Sequence, residues 1–312
     1  MLIFQGFFPV QPAPRGRAVT IGNFDGVHCG HRALIDKTRM LAQAQGCTST
    51  VVTFEPHPKA FFAPDQAPGK IQGLRGKAQA IQALGIDELC VLRFRKSLAS
   101  MSAESFIEDF LHTALNAKHI VIGDDFRFGT KRRGDLEMLR AASPAMGWQV
   151  HTISSVSVEG QRASSSRLRE ALSHGDLQLA RKLMGRPYTL SGRVAHGRKL
   201  GRSIGFPTLN IAVHRKLMLS GVFVVSVHGI GPKPIAGVAS LGHRPTVEAH
   251  GRLLLEVHLF DWSGDLYGKP VCVEFHEKLR NEARYDAISD MIAQIQLDAQ
   301  AARDYFAQQH AH

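Results

Sequence analysis

No run of apolar residues in this 312-residue chain approaches the roughly 18 that a membrane-spanning helix needs. Cysteine is scarce: Cys29, Cys47, Cys90 and Cys272 never form a Cys-x-x-Cys pair. Neither a zinc ribbon nor a disulfide framework is indicated, and a reducing cytoplasm is the expected setting. Met1 to Val10 is apolar but lacks a basic start and a small-residue cleavage pattern, so it does not read as a signal peptide. There is no Walker A loop, internal repeat or low-complexity tract. Acidic residues are the minority, 27 Asp and Glu against 38 Lys and Arg, for a formal charge of +11. That excess calls for anionic partners, and nucleic acid, a membrane surface or a polyphosphate substrate would each satisfy it.

What is present is ordinary globular material, 44% hydrophobic and 21% charged, with length for about two domains. The first half alternates strand and helix patterns. Arg17–Gly22, Thr50–Phe54, Glu88–Phe94, His119–Gly123 and Trp148–Ile153 read as strands. His31–Gln45 reads as a helix stopped by Gly46. A second helix opens at Ser102 as N-cap, with Phe106, Ile107, Phe110, Leu111, Ala114 and Leu115 on one stripe. Such alternation means βαβ units and a mostly parallel sheet. Past Gly185-Arg186-Pro187 the pattern becomes successive strands: Tyr188–Ala195, Val222–His228, Pro234–Ser240, Leu253–Phe260 and Val271–His276, with Trp262–Asp265 as a hairpin tip. A final helix carries Ile288, Met291, Ile292, Ile295, Ala299, Ala302 and Phe306 on one stripe. An antiparallel barrel with one packed helix is expected, with domains at 1–185 and 186–312.

Chemistry concentrates in the turns. Gly22-Asn23-Phe24-Asp25-Gly26-Val27-His28-Cys29-Gly30-His31 joins the first predicted strand to the first helix. A helix start offers free N–H groups and partial positive charge to phosphate, and Gly22, Gly26 and Gly30 allow close backbone approach. His28 and His31 at that start can stabilise charge developing on a phosphate; half of a metal site is the competing reading. Ser164-Ser165-Ser166-Arg167-Leu168-Arg169 precedes another helix, where hydroxyls and arginines suit phosphates and a plain N-cap is the alternative. Gly123–Gly129 places Asp125 beside Phe126 and Phe128, a set suited to a planar heterocycle or to simple packing; Phe54 adds a ring at another strand end.

In the second half, Gly192–Asn210 contains His196–Arg202, which intersperses glycine with basic residues, and then Gly205–Asn210; Gly197, Lys199, Gly201 and Arg202 suit a phosphate-cradling loop. Thr208 and Asn210 offer neutral oxygens to Mg²⁺. Glu256 lies on the mixed face of Leu253–Phe260, opposite an apolar face of Leu253, Leu255, Val257 and Leu259; it is either a ligand-facing carboxylate or a plain surface glutamate.

The Gly22–His31 and Ser164–Arg169 pair resembles the nucleotidylyltransferase superfamily, whose two loops close over ATP. Taken in order, the motifs resemble the bacterial bifunctional riboflavin kinase/FAD synthetase family over nearly the whole chain. They include Thr53–Pro58, Gly123–Gly129, Gly192–Asn210, Arg244-Pro245-Thr246, Leu255–His258 and Ser263–Lys269. The resemblance implies an α/β fold: an N-terminal Rossmann-like nucleotidylyltransferase domain with a parallel sheet, then a C-terminal antiparallel riboflavin kinase barrel with a packed C-terminal helix.

It also implies roles. His28 and His31 would serve adenylyl transfer, with Gly22, Asn23, Gly30, Ser164, Ser165 and Arg169 around the nucleotide. Phe54, Asp125, Phe126, Phe128 and Arg244 would hold flavin. Gly197, Lys199, Gly201 and Arg202 would contact ATP, Thr208 and Asn210 would serve Mg-ATP, and Glu256 would be the kinase base. The implied substrates are riboflavin, FMN and ATP, without nucleic acid or membrane. Leu209 stands where the family has Ala, Ser166 where it has Thr, His243 where it has Thr, and Arg198 where it has Asp. Another enzyme with this His loop, such as an aminoacyl-tRNA synthetase-like protein, would need a Lys-rich second loop. An RNA-binding protein would show a basic stripe with interleaved aromatics. The chain shows neither.

Overall fold

The structure is a computed structural model that describes residues 1–8, 11–196, 205–213, 217–243 and 253–310. Its contacts divide into two units, Met1–Pro68 with Gly73–Ser164, and Gly69–Gln72 with Ser165–His312. The expected junction at 185/186 thus falls inside the second unit.

In the first unit the strands are β1 (Leu2–Gln5), β2 (Arg17–Ile21), β3 (Thr48–Glu55), β4 (Glu88–Arg93), β5 (Ala117–Gly123) and β6 (Gln149–Ile153). They form one sheet in the order β1-β4-β3-β2-β5-β6, every pair parallel, followed by a short antiparallel pair, β7 (Ser157–Val158) and β8 (Gln161–Arg162). The burial of β2 (all five residues) and of the middle of β3 matches a sheet covered on both faces. The helices are α1 (Cys29–Gln45), α2 (Pro58–Phe62), α3 (Leu74–Gln82), α4 (Lys96–Ala99), α5 (Ala103–Ser105) and α6 (Leu136–Met146). After α5 the chain continues as a π-helix over Phe106–Ala114. Ser102 is the expected N-cap, its hydroxyl accepting from Ser105 N at 3.0 Å. The expected stripe is buried, from Phe106 at 4% exposed to Phe110 at 0%.

Strand order turns back at β2: β3 and β4 lie to one side, β5 and β6 to the other. In an open parallel sheet the crevice at such a reversal, outside the carboxyl ends of the strands, is where ligands bind. The loops after β2 and β5 are the two that open there.

The second unit begins with α7 (Ser165–His174) and α8 (Leu177–Met184). Then come β9 (Tyr188–Ala195), β10 (Thr208–Val213), β11 (Gly221–His228), β12 (Ile235–His243), β13 (Leu253–Leu259), β14 (Pro270–Arg280) and α9 (Ile288–His310). The six strands close as an antiparallel barrel, β10-β13-β12-β11-β14-β9. Leu253, Leu255, Val257 and Leu259 are buried in alternation with half-exposed Leu254, Glu256 and His258, as a barrel strand requires.

Outside the barrel, α9 brings Ala299 and Ala302 onto Val222, Val224, Val238 and Phe260. Arg280 Nη2 meets the buried Asp298 carboxylate at 2.6 Å and Nε meets it at 2.9 Å, a bidentate anchor for that helix. Ile288, expected on the buried stripe, is 68% exposed. Residues 69–72 belong with this unit: Tyr188 Oη donates to Ile71 O at 2.8 Å, Arg169 Nε to Gly69 O at 2.8 Å and Arg186 Nη2 to Gln72 Oε1 at 3.1 Å.

Two expectations change. Trp262–Asp265 is not a hairpin tip: β13 pairs with β10 and β12, while β14 pairs with β11 and β9, so the segment crosses between non-adjacent strands. Thr208–Asn210, absent from the expected strands, is the start of β10, because Leu209 and Ile211 alternate with Asn210 and find partners on β13.

Candidate active sites

The first site is built on the turn from β2 to α1. Phe24 and Val27 adopt left-handed backbone at φ 47 and 45, costly for residues with large side chains. Both are almost completely buried with Ile35, Val51, Ile81 and Leu89, and that packing over-determines the turn. The Asn23 carbonyl accepts from Lys77 Nζ at 2.6 Å and from Thr53 Oγ1 at 3.0 Å. Asn23 Oδ1, by contrast, is buried with no partner among the described residues.

His28 N-caps α1: its ring accepts from His31 N at 3.4 Å, and the two imidazoles stack at 3.7 Å. A Cβ at position 30 would come within 3.2 Å of the His28 ring, so Gly30 leaves the pair its place. Burial first, then the nearby His28 and Lys77, hold the His31 imidazole well below its ordinary pKa. His31 is therefore neutral at pH 7, a hydrogen-bond donor rather than a counter-charge, and its Nδ1 has no partner among the described residues. Gly22 N is tied to Val52 O at 3.0 Å.

At the end of β5, Asp125 pairs with Arg162 at 2.7 Å, both well exposed. Phe126 stacks on Phe128 at 5.6 Å; Phe128 is 7% exposed and packs on Phe106, while Phe126 is half-buried. At the ends of β3 and β4, Phe54 meets Phe94 edge-on at 5.9 Å, and Phe94 also meets Phe61 and Phe62. Phe62 is 67% exposed. Ser164 closes the first unit; Ser165 and Arg169 stand on α7 of the second.

The second site lies on the outer face of the barrel. Asn210 on β10 is in register with Glu256 on β13, and Glu256 with Ser240 on β12. Directly opposite residues share a face, with Cβ atoms about 4.5–5.5 Å apart. One step along, Thr208 pairs with His258, whose Nδ1 is 3.0 Å from Pro207 O and whose ring meets Phe206. Asn210 is 7% exposed and its Oδ1 has no partner among the described residues. A buried carbonyl oxygen without a donor, beside a hydroxyl and a carboxylate, is a donor set that fits a hard cation. Among the described residues no group of three or more His, Cys, Asp and Glu could hold a metal. Gly197, Lys199, Gly201, Arg202 and Arg244, with Arg198, lie outside the described residues.

Family models describe residues 10–167 as FAD synthetase and residues 184–306 as riboflavin kinase. The chain is 41% identical over 308 residues to the bifunctional riboflavin kinase/FMN adenylyltransferase of Escherichia coli K12, covering 98% of each chain. It is 41% identical to that of Haemophilus influenzae, covering 98% of this chain and 99% of the relative. The chain belongs to this bifunctional family.

A solved structure described as a macrolide-efflux protein from Streptococcus pneumoniae shares the fold of this family member. It has a TM-score of 0.80 at 28% identity and covers 97% of this chain and 99% of its own. No helix among the described residues of the present chain is long and apolar enough to cross a membrane.

Sequence reasoning missed Lys77, Phe61, Phe62 and Phe94, and named Thr53 only as the start of the Thr53–Pro58 motif. A lysine in an amphipathic helix reads as surface, and nothing in its spacing announces burial at 5% exposure. The adjacent Phe61 and Phe62 were the legible signal, since two exposed aromatics at a strand's carboxyl end mark a candidate ligand surface.

Proposed function

We propose that the parallel-sheet unit adenylylates FMN and that the barrel unit phosphorylates riboflavin, each with its own ATP. The pairing of Asn210 with Glu256 carries the kinase assignment. The ribityl 5′-hydroxyl oxygen attacks the γ-phosphorus, its bond to the β,γ-bridging oxygen breaks, and ADP leaves. The hydroxyl proton passes to the Glu256 carboxylate late in the step. A carboxylate far more acidic than an alcohol can serve there, because phosphoryl transfer rests chiefly on positioning and charge stabilisation. Thr208 and Asn210 would hold Mg²⁺, which when bound would draw negative charge from the triphosphate. Lys199, Arg202 and the glycines at 197 and 201 would cradle that triphosphate.

In the other unit an oxygen of the FMN phosphate attacks the α-phosphorus of ATP, and the bond to the α,β-bridging oxygen breaks to release pyrophosphate. No base is needed, since the attacking phosphate is already anionic. The helix start at Cys29, the side chain of Asn23 and the imidazoles of His28 and His31 would donate to the reacting phosphates, joined by Ser164, Ser165 and Arg169. A neutral His31 acts through its N–H. Phe54, Asp125 and Phe126 would meet the flavin, with Phe128 supporting Phe126 from the core. Scarce cysteine with no Cys-x-x-Cys pair fits work in the cytoplasm on small molecules.

Glu256→Gln tests the kinase half, because it keeps shape and removes basicity. Riboflavin phosphorylation should fall by about 10²–10⁴-fold, the scale of general-base loss, with FAD formation from supplied FMN unchanged. Equal damage to both steps would make Glu256 structural.

A further inference from the structure

Lys77 is 5% exposed on α3, beside Ala78 and Ile81 in the core that also holds Phe24 and Val27, and lysine is almost never so buried unless it is paired. Removing an ammonium from water costs several kcal/mol, and an apolar side chain of similar length would fill the position without that cost. What the charge does is specific. Its Nζ donates to Asn23 O at 2.6 Å and to Thr53 Oγ1 at 3.0 Å, and Thr53 Oγ1 donates to the same carbonyl at 3.0 Å. Two donors from two elements, α3 and β3, therefore converge on one backbone oxygen of the β2–α1 turn. That peptide is fixed on the main-chain side, while the Asn23 side chain keeps its Oδ1 unpartnered among the described residues.

We infer that Lys77 is a positioning residue for adenylyl transfer: with Thr53 it clamps the Asn23 carbonyl and so aims the Asn23 side-chain amide, whose N–H would donate, at the reacting phosphates. This rests on the reading of the first unit given above. Lys77 does not touch substrate; it acts through Asn23. The clamp also completes the support of a turn whose left-handed residues Phe24 and Val27 would otherwise relax. Misplacement of such a group by an ångström is enough to cost roughly 10²-fold in rate.

The test is a double-mutant cycle on the full chain, reading FAD formation from FMN and, on the same preparation, FMN formation from riboflavin. Lys77→Met should lower kcat for FAD formation by about 10–100-fold, with the KM for FMN and riboflavin phosphorylation unchanged. In the Asn23→Ala background, Lys77→Met should add almost nothing, because the side chain it aims is gone. Thr53→Val removes the second donor without touching the charge. It should cause a smaller loss of the same kind, also silent in the Asn23→Ala background, and it carries the test if Lys77→Met fails to fold. Losses that multiply with Asn23→Ala, or no loss from either variant, would overturn the inference. A wild-type protein that makes no FAD would instead sink the underlying reading.

Discussion

Asn210 and Glu256 stand directly opposite one another on β10 and β13, and the amide oxygen of Asn210 is buried there without a donor among the described residues. An unsatisfied buried polar atom costs about 1–3 kcal/mol, so it is retained against stability. Replacing Asn210 with the isosteric Leu should therefore raise the melting temperature of the ligand-free protein by about 2–12 °C for a unit of this size. The same change should weaken the apparent Mg-ATP affinity of the kinase step by roughly 10–100-fold, the scale of one charge-assisted contact. Thermal melts and kinase assays of one preparation check both. A variant that is less stable and equally active would show that Asn210 serves the fold.

His31 links the other site to pH. Its folded-state pKa lies well below 6.5, chiefly through burial, so the unfolded chain binds the extra proton first as pH falls. The stability it confers is complete above about pH 6.5 and is lost as pH drops below that value. Burial lowers His119, His151 and His276 in the same direction. Denaturant melts from pH 7.5 to 5.5 should show falling stability. In His31→Ala the slope should be shallower, by at most about 1.4 kcal/mol per pH unit, whatever its offset. FAD formation by that variant should be down about 10²–10³-fold, with riboflavin phosphorylation intact. An unchanged slope would mean that His31 titrates normally.

The periodicities of β9 and β13 were legible because one face of each is barrel core, β11 because it is an apolar run buried on both faces, and the Gly22–His31 turn because glycine and histidine cluster at a helix start. The start of β10 was hidden by its ligand-type residues, Thr208 and Asn210, which look like loop. Lys77 and the Arg280–Asp298 anchor were hidden because charged side chains carry no mark of burial until the fold pairs them. The crossing of Trp262–Asp265 depends on strand order, which local pattern does not encode. Local pattern does not encode which core α7 and α8 pack on; by contacts they group with the barrel.

Those two helices set the next expectation. Leu183 and Met184 of α8 are fully buried, and α8 packs on β9 and β14. A fragment of residues 165–312 should fold, make FMN from riboflavin and make no FAD. A fragment of residues 186–312 should be less stable by several kcal/mol, since each exposed side chain of that size costs about 1.5–3 kcal/mol. Calorimetry of the two fragments, with riboflavin kinase assays, decides it. Equal melting temperatures would show that α8 contributes nothing to the barrel.

The central claim is that one chain performs both steps in sequence. Purified full-length protein incubated with riboflavin, ATP and Mg²⁺, with the flavins separated by chromatography over time, tests it most directly. The account predicts that riboflavin declines, FMN rises first, and FAD follows with release of pyrophosphate. Folded protein that leaves riboflavin unreacted, or that stops at FMN with ATP in excess, would contradict it.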